Sequence, residues 1–133
     1  GIGGDNLSPE LNWTDPPEGT MGFAVVLHDL SNTFVHWAVW NIGADVRQLP
    51  ASLPTGAISD PAGAEQGSIA GGGYFGSGAC GNTYEFRLYA LSDAAYAPPG
   101  GNITTFRDDL VTASEVLGTS FARLRSGPPD CNP

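Results

Sequence analysis

The chain contains no lysine, and its five basic residues, all arginines, face 14 acidic ones for a formal net charge of −9. Nucleic acid and anionic membrane surfaces require basic patches, so neither is expected as a partner. No apolar run approaches the roughly 20 residues that span a bilayer, so no transmembrane segment is expected. No signal peptide is visible either, and Gly1, which is not a natural start, reads as the mark of a processed or truncated product. The glycine tract Gly71-Gly72-Gly73-Tyr74-Phe75-Gly76-Ser77-Gly78 lacks the lysine of a P-loop. Ser77 sits in no G-x-S-x-G elbow and has no assigned base. His/Cys/Asp clusters of metal-ligand spacing are missing too. With no complete nucleophile, base and oxyanion set, the chain reads as a non-enzyme without cofactor or metal.

Cysteine is scarce. Cys80 lies in a Gly-rich stretch and Cys131 in a Pro-rich tail, and neither has the near neighbours of a zinc site. A single disulfide joining them is the favoured reading, and it implies an exported protein, extracellular or periplasmic. The competing reading is two unrelated free thiols in a cytosolic chain.

What is present fits one globular domain over residues 1–133, with 41% hydrophobic residues and only 14% charged. The 19 glycines and 11 prolines are spread between apolar runs, the pattern of a turn-rich, mainly β protein. Leu7, Leu11 and Trp13, in a stretch where Pro9, Pro16 and Pro17 forbid a helix, are expected to pack onto a sheet. Met21–Asp29 is continuously apolar, as a strand buried on both faces would be. After a bend at Ser31-Asn32-Thr33, Phe34–Ile42 reads as a central strand. Strict alternation puts His36, Ala38 and Trp40 on one face, and Val35, Trp37, Val39 and Asn41 on the other. The connection from Gly43 to Thr83 is too long to lack structure, and loops of this kind, laid over a scaffold, are where binding sites sit.

Tyr84–Ser92 alternates as a strand, with Tyr84, Phe86 and Leu88 opposite Glu85 and Arg87. From Thr105, a capping box with Asp108 and the apolar spacing of Phe106, Leu110, Ala113 and Leu117 predict one α-helix stopped by Gly118. Phe121–Arg125 is read as a short last strand. Asn6, Asn12 and Asn102 each stand in an N-glycosylation triplet, which matters only in a eukaryotic secretory setting.

Asp29, His36 and the chain's only other histidine, His28, form the one nearby set with acid–base potential. Such a set can bind an anion, bind a metal or act as a general base. Equally, Asp29 can cap the bend through backbone amides, and His36 can be a satisfied core histidine.

These residues resemble a family. Asn6-Leu7-Ser8-Pro9-Glu10-Leu11-Asn12-Trp13 is similar to the N-x-SP-x-L-x-W segment of the phosphatidylethanolamine-binding proteins in their compact bacterial and archaeal form. His36-Trp37 with Asn41-Ile42 resembles the family's HW…NI strand, Gln66-Gly67 its loop glutamine-glycine, and Tyr84–Leu91 its Y-x-F-x-L-YAL strand. The resemblance implies a β-sandwich with long connecting loops and a small anion pocket at one end, accepting phosphate-like groups and phospholipid headgroups. Asp29 and His36 match that pocket directly, while Ser31 stands where a second aspartate is expected. Gly78, Ala79 and Cys80 match the start of the second pocket loop, and Gly81 and Asn82 depart from it. The expected ligand-binding set is therefore Asp29, Ser31, His36, Tyr74, Gly78, Cys80 and Asn82. Family members usually have a strand before the N-x-SP segment and this chain starts inside that region, so the strand is expected either to be dispensable here or to be supplied by another chain through strand addition. A structural subunit of an extracellular assembly, formed by self-association, is the alternative function. A protease or kinase inhibitor docking on a protein partner is a further one.

Overall fold

A computed structural model of the chain describes residues 8–30, 34–68, 83–93 and 116–125. Seven strands follow in order: β1 Leu11–Asn12, β2 Gly22–Asp29, β3 Phe34–Gly43, β4 Gln48–Leu49, β5 Glu65–Ser68, β6 Thr83–Leu91 and β7 Val116–Arg125. Five of them form one antiparallel sheet in the order β5-β3-β2-β6-β7, and β1 pairs with β4 in a two-stranded ribbon. The expected mainly β fold is present. Among the described residues there is no helix, so none is long and apolar enough to cross a membrane.

β2 is buried along its whole length, as its unbroken apolar run predicts, because it lies at the centre of the sheet and both faces are covered. One face packs Phe23, Val25 and Leu27 with Trp37, Val39, Ile42, Tyr84 and Phe86 beneath Trp13, Leu49, Ile58 and Ala64. The other gathers Ala24, Val26, Val35, Ala38, Trp40, Tyr89 and Leu91. Trp13 does pack onto the sheet as expected, its ring centroid 5.4 Å from that of Phe23. Its indole Nε1–H donates to the Val46 carbonyl at 2.9 Å. Ser8, from the Ser-Pro segment, is buried and accepts the Leu53 amide on Oγ at 2.9 Å, tying the chain's start to the loop after β4.

The long connection contains β4 and β5 and is pinned by one side chain. Gln66 accepts the Trp37 Nε1–H on Oε1 at 2.9 Å and donates from Nε2 to the carbonyls of Pro54 at 2.6 Å and Gly56 at 3.0 Å.

Two sequence-based expectations change here. The last strand begins at Val116, so Leu117 and Gly118 belong to β7 instead of closing a helix; the rest of that helix, from Thr105, lies outside the described residues. Pairing decides the matter, since β7 runs alongside β6 from Leu91↔Val116 to Thr83↔Arg125, with one bulge at Leu117. Gly118 also has a packing reason: a Cβ there would stand 2.9 Å from Pro17 Cγ. The second change concerns β3. Strict alternation fails there, because two bulges interrupt its pairing with β2.

Candidate functional site

Asp29 ends β2, and its register partners are Phe34 on β3 and Tyr84 on β6. One step back, His28 pairs with Val35, yet Leu27 pairs with Trp37, which leaves His36 as an extra residue on β3. The bulge reverses the expected faces. Val35 joins Ala38 and Trp40, while Trp37, Val39 and Ile42 pack on the opposite side. His36 leaves the Ala38 and Trp40 face and turns toward Asp29 and Tyr84. Its Nε2 is 4.0 Å from Asp29 Oδ2, and its ring meets Tyr84 edge-on at 5.2 Å and 88°.

Both polar groups are buried, with side chains 7% exposed for His36 and 1% for Asp29. At 4.0 Å the contact between His36 Nε2 and Asp29 Oδ2 is longer than a hydrogen bond. The neighbourhood is low in dielectric, which strengthens any charge-assisted bond made there. The pair thus places an imidazole and a carboxylate side by side at one end of the sheet, with Tyr84 fixing the ring plane. That geometry suits holding an anion on the imidazole while Asp29 orients it.

His28 does not belong to this pair. It precedes Asp29 in an extended strand, so it projects to the other face, where its β6 partner is Glu85. Glu85 is only 2% exposed and accepts Arg87 Nε–H on Oε1 at 2.6 Å, and Arg87 donates further to Thr119 Oγ1 at 3.2 Å. The Glu85 carboxylate holds the Arg87 guanidinium above its ordinary pKa, chiefly through their hydrogen bond, with burial pulling the other way. Sequence reasoning placed Glu85 and Arg87 on a common face without signalling that the carboxylate is buried. Tyr84 was missed as a neighbour of His36; the alternation of β6 supplied its face, and only the register supplies its proximity.

Of the expected ligand-binding set, the structure brings together Asp29 and His36. Ser31, Tyr74, Gly78, Cys80 and Asn82 lie outside the described residues, as does Cys131.

Comparison with known proteins now bears on these strands. The sequence model of the family described as phosphatidylethanolamine-binding protein matches residues 1–121. The chain belongs to that family. Its relatives include the UPF0098 protein YbhB of Escherichia coli K12, 40% identical over 70 residues, covering 50% of this chain and 44% of that protein. The UPF0098 protein of Aquifex aeolicus is 31% identical over 109 residues, 74% of this chain and 63% of its own length. The chain therefore spans about half to two thirds of these relatives. The crystal structure of E. coli YbcL, titled a new member of the mammalian family of this name, superposes with a TM-score of 0.72 at 29% identity, over 92% of this chain and 82% of YbcL. The likeness to YbcL extends to the overall fold that carries Asp29 and His36.

Proposed function

We propose that this chain is an exported, non-catalytic binding module that holds a small phosphate-bearing anion at the Asp29–His36 end of the sheet. The observation that carries the reading is the buried imidazole 4.0 Å from a buried carboxylate, brought to one face by a bulge. A core histidine would not need an extra backbone residue to reach a carboxylate at the sheet's end. The family's description names phosphatidylethanolamine, whose headgroup carries such a phosphate. The imidazole N–H donates to an anion oxygen, and Asp29 keeps the ring oriented. In this reading the pair binds the phosphate ester without breaking it.

Titration with inorganic phosphate and phosphoethanolamine, followed through the His36 ring resonances, tests this. Saturable shifts are expected, with His36→Ala weakening binding by about tenfold or more, as loss of a charge-assisted hydrogen bond does. An unchanged affinity in that variant, with the fold intact, removes His36 from the site. Phosphoethanolamine recovered intact after long incubation supports binding without turnover.

Export predicts that Cys80 and Cys131 are joined. Under denaturing conditions both thiols should resist alkylation until a reductant is added, and ready alkylation without reductant would speak for a cytosolic chain.

A further inference from the structure

The other end of the same sheet carries a second concave site. Phe23 stands near the start of β2 and Asp29 at its end, about 20 Å apart along an extended strand. There a cleft of about 440 Å³ opens between the Asn12–Pro17 segment and strands β6 and β7. Phe23, Leu88 and Ala90 form its floor, Trp13 and Asp15 one wall, and Ser120 the facing rim. A hollow of about 130 Å³ shares Trp13, Leu88 and Ser120 with it and continues down to Val25 and Phe86. The larger space alone is in the range that encloses a small ligand.

We propose that this cleft binds a small organic cation, an apolar ring carrying a protonated or quaternary nitrogen. The charge argument is direct. Among the described residues that line the cleft, Asp15 is the one charged group and none is basic. The whole chain adds a formal charge of −9, which draws cations and repels anions. The floor is apolar: Leu88 and Ala90 lie beside Trp13, whose N–H is spent on the Val46 carbonyl, so the cleft matches an apolar body. Phe23 is 1% exposed and packs against Trp13 and the Arg47 guanidinium, so it supports that floor from beneath.

The wall is also built rigidly. Asp15 has φ 51°, the left-handed region that a non-glycine residue adopts at a cost of about 1 kcal/mol or more. Two anchors impose this conformation. Before it, the Trp13 amide donates to the Arg47 carbonyl at 3.0 Å. After it, Pro16 and Pro17 restrict φ, Pro17 packs on Gly118, and its carbonyl accepts the Thr20 hydroxyl at 2.7 Å. A carboxylate held at the mouth of an apolar cleft by a constrained backbone is preorganised for a cation.

Benzyltrimethylammonium is the probe, with benzyl alcohol and benzoate as neutral and anionic counterparts of the same ring. Saturable amide shifts at Thr14, Asp15 and Ser120 are expected with the cation, weaker ones with the alcohol and none with benzoate. Asp15→Asn, which suits the left-handed backbone, should weaken cation binding about three- to fivefold, the size of an exposed ion pair, and the difference should vanish in high salt. Ser120→Tyr fills the mouth and should abolish the shifts; Asp15→Asn alone decides if that variant does not fold. Excess phosphate should leave the titration unchanged, which separates this site from the Asp29–His36 end. No saturable shift with the cation, benzoate binding as tightly, or equal affinity in Asp15→Asn at low salt would each overturn the proposal.

Discussion

Trp37→Ala is expected to remove about 3–5 kcal/mol of folding stability, the usual cost of deleting a large aromatic side chain from a packed core. Trp37 has 0% exposure and lies in the sheet's main hydrophobic cluster, on strand β3 between β2 and β5. Two losses combine. The first is the cavity left among Leu27, Val39 and their neighbours. The second is the donor to Gln66 Oε1, whose loss strips the side chain that also binds the carbonyls of Pro54 and Gly56. A domain of this size has roughly 5–15 kcal/mol in total, so the variant should sit near the edge of folding. Trp37→Phe separates the two terms, because it keeps most of the ring and discards the N–H. Urea denaturation followed by circular dichroism measures both, and a loss below about 1 kcal/mol for Trp37→Ala would contradict the close packing described.

Arg87→Met is the second large effect. Glu85 has only 2% exposure, and its 2.6 Å bond to Arg87 Nε–H is a buried charge pair, with the Arg87 side chain 23% exposed. Removing one partner of such a pair leaves a desolvated charge, and costs run to about 3–5 kcal/mol when both groups are fully buried. Because the guanidinium retains some solvent contact, about 2–3 kcal/mol is the expected loss here. Replacing both, as Glu85→Leu with Arg87→Met, should return most of it, since two apolar groups fill the site without an uncompensated charge. The raised pKa of Arg87 sets the sign of any pH effect. Its contribution is complete below the ordinary arginine range and is lost only as pH climbs through the still higher folded value. Titration of this guanidinium therefore gives no pH dependence near neutrality. If Arg87→Met matches the parent protein, or the double variant is no better than the single one, the pair is not the source of stability at this face.

How much of this could be read from the sequence differs residue by residue. Strand β2 was legible because its run Phe23–Leu27, covered on both faces, is apolar throughout. Tyr84, Phe86 and Leu88 were legible for the opposite reason, since one face alternates cleanly against Glu85 and Arg87. Asp29 and His36 could be named as candidates from their types and their resemblance to a family pattern, but their meeting could not. Their shared face depends on one extra residue in the register of β3, and backbone register leaves no mark in side-chain type. Burial of Glu85 was hidden for a similar reason, because a carboxylate looks the same in sequence whether water or a core faces it. Leu117 shows the reverse error. It fits a helical spacing with Phe106, Leu110 and Ala113, yet pairing with β6 claims it for a strand. Gln66-Gly67 was visible as a pattern, while its role as the tie between Trp37 and the loop at Pro54 emerges only from three hydrogen bonds of the folded chain.

The bulge at His36 makes the Asp29–His36 encounter a matter of counting as much as of chemistry. Deleting Val35, which stands opposite His28, would let His36 take that position and swing the imidazole to the far side of the sheet. Both letters would survive in the descendant sequence, and the encounter would not. In a lineage carrying this sheet, a single codon gained or lost near the bend can therefore erase the pair as surely as a substitution, and two relatives with identical residues at these columns need not share it.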